Sequence, residues 1–284
     1  MQKLINDYTN YLKILGLAAR TIAIYKSILL KFLTMHPEPK KATQPQIIEF
    51  MLQRGSARTI QQTHGALNHF YSGVLQLGYI KKIPQPKAAN FVPNILTQLE
   101  AHQVLSSVKN LKHEAILQLI YSGALRISEL LNLKVSDVSK TENQIKIIAG
   151  KGNKTAYVPI PEATKNLLRE YYYYYRPKEY LFEGKPGVKY SRSSVRKILN
   201  KALLNSKITK RIRVHDLRHS RATHLLENGM DIKLLKEFLR HRKIETTERY
   251  IHLTTKSLES AMQKADLYMQ NQIEIKQGLN INAA

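Results

Sequence analysis

The stretch "VHDLRHSRATHLLENGMDIKLLKEFLRH", residues 214–241, decides how this chain is read. Its apolar residues recur at helical spacing on either side of "ENGMD". Gly229 ends one helix, because glycine accepts the left-handed backbone that closes a helix, and Asp231 is suited to cap the next. His215 and Arg218 stand three apart and share a helical face if the helix has begun by 215; such a face can grip a phosphate. For any single pair in so cationic a chain, a solvated basic face is the plainer reading. His215 and His219 have the i, i+4 spacing of zinc-binding helices, but Asp216 replaces the glutamate of that motif and an arginine intrudes, so no metal is expected. The part "ATHLLENGMDIKLLKEFL" also has the form of a helix-turn-helix, which as an isolated module makes a DNA-binding regulator the alternative function.

Charge narrows the partner. The chain has 284 residues and a formal charge of +24, with a pI near 10.0. This imbalance suits a polyanion: nucleic acid first, an anionic membrane surface second. The membrane is the weaker reading, because no apolar run approaches the roughly 20 residues of a spanning helix and the amino terminus lacks the apolar core of a signal peptide. A cytoplasmic protein without a membrane partner is expected. The lack of cysteine excludes disulfides, thiolate zinc sites and cysteine nucleophiles. Chemistry must come from oxygen and nitrogen groups, and nothing in the sequence calls for a cofactor.

Working outward, residues 1–83 read as helix, with "YLKILGLAARTIAIYKSILLKFL" and "SARTIQQTHGALNHFYSGVLQLGYI" both apolar at helical spacing. "IPQPKAANFVP", residues 83–93, holds three prolines and no helical period, the mark of an extended linker. The expected division is a helical domain over 1–84, a linker over 85–94 and a second domain over 95–284. Residues 1–90 carry 12 lysines and arginines against 3 acids, and the remainder 33 against 18, so both parts are basic enough to touch one polyanion. Helices are expected over 97–109 and 111–133. "QIKIIAGKGNKTAYVPI" then reads as a β-hairpin with a basic tip. From 162 the pattern is helical again, and the five tyrosines at 171–175 belong to a helix whose rings cover core surface and whose hydroxyls reach water or phosphate.

Further residues join "HDLRH" as candidates for chemistry. "GALRISELLNL", residues 123–133, places Arg126 on an amphipathic helix beside a glycine, with Glu129 suited to orient basic groups. The hairpin tip offers Lys151 and Lys154, His241 closes "DIKLLKEFLRH", and Tyr250 follows in "TTERYIHL". This ordered set resembles the tyrosine recombinase, or phage-integrase, family and its Xer-like members. The similarity runs through "GALRISELLNLKVSDV", "IIAGKGNKTAYVPI", residues 214–241 and "TTERYIHL". The two amino-terminal helical stretches resemble that family's core-binding domain.

The resemblance implies a mainly α protein: a helical SAM-like core-binding domain, then a mostly helical catalytic domain with a small antiparallel β-sheet. It implies a site-specific recombinase that cuts and rejoins DNA through a covalent 3′-phosphotyrosine, without metal or ATP. Arg126 and Arg218 would bind the non-bridging oxygens of the scissile phosphodiester, with His215 and His241 assisting. Lys151 would protonate the leaving oxygen, favoured over Lys154 by resemblance only, and Tyr250 would be the nucleophile. Arg20, Arg58, Lys154 and Arg240 are the expected DNA contacts. Partners implied are a double-stranded recombination site, a homo-tetramer passing through a Holliday junction, and an accessory recombinase or DNA-bending protein. The tail from about 255 would dock on a neighbouring protomer. Two positions depart from the family pattern: Arg240 stands where glycine is usual, and Val214 where proline commonly precedes the histidine.

The chemistry needs such a set. A phosphodiester repels nucleophiles and gathers more charge at the transition state, so fixed cations must already be in place. Arginine supplies a planar fork and a charge that survives at any working pH. Each preorganised donor at a developing oxyanion is worth on the order of 3 to 4 kcal/mol. A tyrosine hydroxyl, with a reference pKa of about 10, also needs help to lose its proton. The phosphotyrosyl bond keeps the energy of the broken strand, so a 5′ hydroxyl can reseal it without ATP.

Overall fold

Apolar residues at helical spacing build the first of two folded units, Met1–Val92 and Pro93–Ala284. The computed structural model describes residues 1–87, 93–148 and 155–251. Ile5, Tyr8 and Leu12 share one face of α1 (Gln2–Ile14) and are buried. α2 (Ala19–Met35) adds Ile28, Leu29, Phe32 and Leu33, α3 (Gln44–Leu52) adds Ile47, Phe50 and Met51, and α4 (Ala57–Gly73) adds Ile60, Leu67 and Phe70. Each such side chain contributes roughly 1.5–3 kcal/mol when taken out of water. The buried phenols are satisfied: Tyr8 donates to the Ala66 carbonyl at 2.7 Å and Tyr71 to that of Pro39 at 2.8 Å. Arg20 and Arg58 are exposed in the first turns of α2 and α4.

The second unit is organised around a helix buried on several sides. α5 (Gln98–Ser106) precedes α6 (Leu111–Ser122), whose Ala115, Ile116, Leu117, Leu119 and Ile120 are all buried. After α7 (Ile127–Asn132) come β1 (Gln144–Ile148) and β2 (Thr155–Pro159), paired antiparallel from Gln144 with Pro159 to Ile148 with Thr155. Ile145, Ile147 and Val158 face inward at the strand period of two. The remaining elements are α8 (Glu162–Tyr175), a hairpin of β3 (Glu183–Lys185) and β4 (Val188–Lys189), α9 (Arg192–Asn205), α10 (Val214–Glu227), α11 (Ile232–Phe238) and α12 (Glu245–Glu248). α6 contacts α5, α7, α8, α9 and α10. The second unit is therefore mostly helical with small antiparallel sheets. Among the described residues, no helix is long and apolar enough to cross a membrane.

Three expectations change. The helix read over 111–133 is two helices, because Ala124 takes a φ of 43° after Gly123 and turns the chain. Arg126 is consequently the N-cap of α7 and not a position on a helical face. The β3–β4 hairpin interrupts a region read as helical; Gly187, with φ 73°, supplies its turn. Of the five tyrosines only Tyr171 covers the core, at 1% exposure, while Tyr172 to Tyr175 are 40–67% exposed. Residues 88–92 of the linker, the hairpin tip 149–154 and the tail from 252 lie outside the described residues.

Candidate active site

Four chain segments bring cationic and aromatic groups together: the α6–α7 turn, the first half of α10, the residues after α11, and Tyr250 after α12. Local sequence explains each placement. Glu129 accepts from the backbone amide of Arg126 at 2.8 Å, a capping arrangement that starts α7 and leaves the Arg126 side chain at the helix end. Asp216 does the same for α10, accepting from the amide of Arg213 at 2.9 Å and from its guanidinium at 3.0 and 2.8 Å. Val214 is thus the first residue of α10, the position where a proline ring is pre-organised for helix entry. Eight of its fourteen residues are buried, 216–220 and 222–224, so α10 serves as an internal scaffold.

Glu129 is the hub. Its Oε1 is 2.6 Å from Arg126 Nη1, and its Oε2 is 2.8 Å from Arg240 Nη2 and 3.7 Å from Arg218 Nη1. Arg126 and Arg218, 92 residues apart by number, therefore converge on one carboxylate. Arg218 also donates to the carbonyls of Ala124, at 2.6 Å, and Leu239. Arg240 donates to the carbonyls of Phe238 at 2.6 Å and Ala124 at 3.1 Å. The Arg218 and Arg240 side chains are 1% and 6% exposed, whereas that of Arg126 is 36% exposed and opens outward.

Three guanidiniums around one carboxylate leave an excess of positive charge in a desolvated place. Burial, then Arg126 and Arg240, press the pKa of Arg218 down to about 9. Burial alone would raise the Glu129 carboxyl, but Arg240 and Arg126 hold it below the usual range. A site with this balance gains from an incoming anion, because the anion relieves the repulsion among the cations.

His241 and Tyr250 lie beside Arg218. Arg218 Nη2 is 3.2 Å from His241 Nε2, and since a guanidinium only donates, that nitrogen accepts. His241 Nδ1 then carries the proton and donates to Thr247 Oγ1 at 3.0 Å. Burial and the neighbouring Arg218, Arg126 and Arg240 push the His241 pKa down to about 3, which agrees with a neutral ring. The rings of His241 and Tyr250 are nearly parallel, 5° apart in plane, with centroids 6.4 Å apart. Tyr250 is 1% exposed, and its hydroxyl shares a 2.7 Å hydrogen bond with His219 Nδ1. His215 is exposed, its ring 4.5 Å from that of His219. Although these two imidazoles face each other, Asp216 is engaged by Arg213, and among the described residues no third metal-ligating side chain joins them.

Of the residues picked from sequence, Arg126, His215, Arg218, His241, Tyr250 and Arg240 come together, while Lys151 and Lys154 lie outside the described residues. Arg240, expected as a DNA contact, is instead an internal partner of Glu129. Its φ of 55° is the left-handed conformation in which glycine is unstrained, which accounts physically for glycine at this point of the family pattern. Two contributors were missed: His219 as the partner of Tyr250, and the carbonyls of Ala124 and Leu239 that grip Arg218. A signal for the first existed, since His219 lies one helical turn beyond His215. No side-chain pattern announces the carbonyls.

Comparison with known proteins places nearly the whole chain among relatives. Residues 93–257 match the phage integrase family. The chain is 32% identical over 272 residues to the tyrosine recombinase XerA of Pyrococcus horikoshii, covering 93% of this chain and 94% of that protein. Its fold is similar to that of the XerH site-specific recombinase bound to a palindromic difH substrate, with a TM-score of 0.73 at 23% identity, over 85% of this chain and 78% of that one. It is also similar to the lambda integrase tetramer bound to a Holliday junction, with a TM-score of 0.68 at 16% identity, over 85% and 77% of the two chains. With the arginines, histidines and tyrosine gathered as described, this chain belongs to the phage integrase family, the tyrosine recombinases.

Proposed function

We propose that the protein is a site-specific recombinase that cuts and rejoins duplex DNA through a 3′-phosphotyrosine on Tyr250, without metal or ATP. The observation that carries this reading is the convergence of Arg126 and Arg218 on Glu129, with His241 on Arg218 and Tyr250 beside it. Arg126, partly exposed, and Arg218, gripped from behind by carbonyls, are suited to hold the two non-bridging oxygens of a phosphodiester. Their forks are fixed before substrate arrives, which is what transition-state stabilisation requires. His215 at the mouth and His241 within assist. Lys151 protonates the departing 5′ oxygen, and Tyr250 attacks phosphorus. Glu129 and Arg240 position the arginines.

Residues 1–84 act as the core-binding domain, with Arg20 and Arg58 on DNA phosphates, residues 85–94 as linker, and residues 95–284 as the catalytic domain and tail. Lys154 contacts DNA from the hairpin tip. The XerH and lambda integrase complexes support a DNA site as substrate and four protomers working across a Holliday junction. An accessory recombinase or a DNA-bending protein completes the assembly, and the reaction takes place in the cytoplasm. The test is a nicked suicide substrate resolved on a denaturing gel in excess EDTA. The native protein yields a protein–DNA adduct there, and Tyr250→Phe yields none while still binding. A native protein that binds DNA but never forms an adduct would remove the enzymatic reading.

A further inference from the structure

His219 is the side chain hydrogen-bonded to the Tyr250 hydroxyl among the described residues, at 2.7 Å. The other histidines are differently engaged. His241 has its Nε2 on Arg218 and its Nδ1 on Thr247, and His215 meets the ring of His219, not the phenol. His219 and Tyr250 are 8% and 1% exposed, so bulk water does not compete freely for the phenolic proton. A phenol in such a place resists ionisation: burial raises the Tyr250 pKa, with Arg218, Arg249 and Arg126 opposing. An attack on phosphorus therefore requires a local acceptor for that proton.

We propose that His219 is this acceptor: its Nδ1 takes the Tyr250 proton as the hydroxyl oxygen attacks the phosphodiester. The role rests on the recombinase reading above. The Oη–H bond breaks as an Nδ1–H bond forms, and the freed pair on oxygen makes the new O–P bond. The bond from phosphorus to the departing 5′ oxygen breaks at the same time, and that oxygen receives its proton from a separate donor, Lys151 in this scheme. Resealing runs the same transfers backwards, with His219 returning a proton to the phenolate as the 5′ hydroxyl displaces it.

The surroundings decide when transfer is favourable. On α10, His215, Asp216 and Arg218 face His219; from beyond α12 come Tyr250 and Arg249, and from beyond α11 His241. Burial, with His215, Arg218 and Arg249 against and Asp216 in favour, pushes its pKa down to about 4, so the ring is neutral and able to accept at working pH. In the free protein the same cations penalise an imidazolium, and Tyr250 stays protonated. A phosphodiester on Arg126 and Arg218 brings the missing negative charge, which lowers that penalty only when DNA is in place.

The experiment measures single-turnover adduct formation on a nicked substrate across pH for His219→Ala and His219→Asn, with DNA affinity measured in parallel. Asparagine can keep a hydrogen bond near the Nδ1 position but has no basic nitrogen. Both variants are expected to bind DNA like the native protein and to form adduct about 10²- to 10⁴-fold more slowly at neutral pH. Their rates should climb with pH, and a fluorinated, more acidic tyrosine at 250 should recover much of the loss while changing the native rate little. Near-native rates in either variant overturn the proposal. So does a loss indifferent to pH and to fluorination, which would mean that His219 only shapes the pocket. A native protein that forms no adduct fails the recombinase reading instead, so the two failures are distinguishable.

Discussion

Arg240 Nη2 stands 2.8 Å from Glu129 Oε2, tying the end of α11 to the start of α7 across 111 residues of sequence. The same carboxylate holds Arg126 at 2.6 Å. Glu129→Gln keeps the shape but leaves the guanidiniums without their counter-charge. The expected outcome is a loss of about 3 kcal/mol, the scale for breaking one side of a buried ion pair, read as a lower urea midpoint. Adduct formation should fall with it. An unchanged midpoint would mean that Glu129 does not organise the cluster.

The backbone at Arg240 makes a second, inverted prediction. A non-glycine residue at φ 55° is strained, by roughly 1–2 kcal/mol, so two substitutions that both remove the Glu129 contact should differ. Arg240→Gly relieves the strain and Arg240→Ala keeps it. Glycine should be the more stable variant by about 1 kcal/mol, the reverse of the order measured inside helices. Equal unfolding midpoints would argue against a strained backbone here.

Stability should fall on the acid side of neutrality. His219 and His241 have folded pKa values of about 4 and about 3 against an ordinary 6.5, so below 6.5 the unfolded chain binds protons that the folded one refuses. Each contributes a slope of at most about 1.4 kcal/mol per pH unit, from 6.5 down to its folded value. Glu129, held below the carboxylate range, adds a loss in the same direction as pH falls through its folded pKa. Urea titrations between pH 7 and pH 4 read the histidine part of this loss, and His241→Asn should flatten the curve.

DNA affinity should drop steeply with salt, because lysines and arginines displace counterions from phosphate. Arg20→Ala and Arg58→Ala, both at exposed positions, should each reduce the slope of log affinity against log salt by about 1. Arg240→Ala should leave that slope unchanged, since its side chain is 6% exposed and already paired. A reduced slope for Arg240→Ala would place that side chain on DNA after all.

Much of this was legible in the sequence wherever one short period decides the outcome. The amino-terminal helices, the β1–β2 hairpin, and the Gly229–Asp231 junction follow from apolar spacing and capping residues. The break at residues 123–126 was not, because it depends on a single alanine adopting φ 43° in a stretch whose composition favours helix. The candidate site shows the same divide. Its arginines, histidines and tyrosine could be picked by order and spacing, yet their mutual arrangement depends on Glu129 and on carbonyl oxygens that every residue possesses. The direction of the Arg240 side chain, inward to Glu129 and not outward, is set by tertiary packing and leaves no mark in local sequence.

The grip on Arg218 has a consequence for how the protein is made. Its guanidinium is held by the carbonyls of Ala124 and Leu239, supplied from either side of it along the chain. During synthesis the first of these emerges early, and the second, with His241 and Tyr250, follows more than 110 residues later. A polypeptide stalled before that point carries Arg126 and Arg218 without the Leu239 carbonyl, Arg240, His241 or Tyr250. The grip on Arg218 is therefore completed only when the segment following α11 has been made.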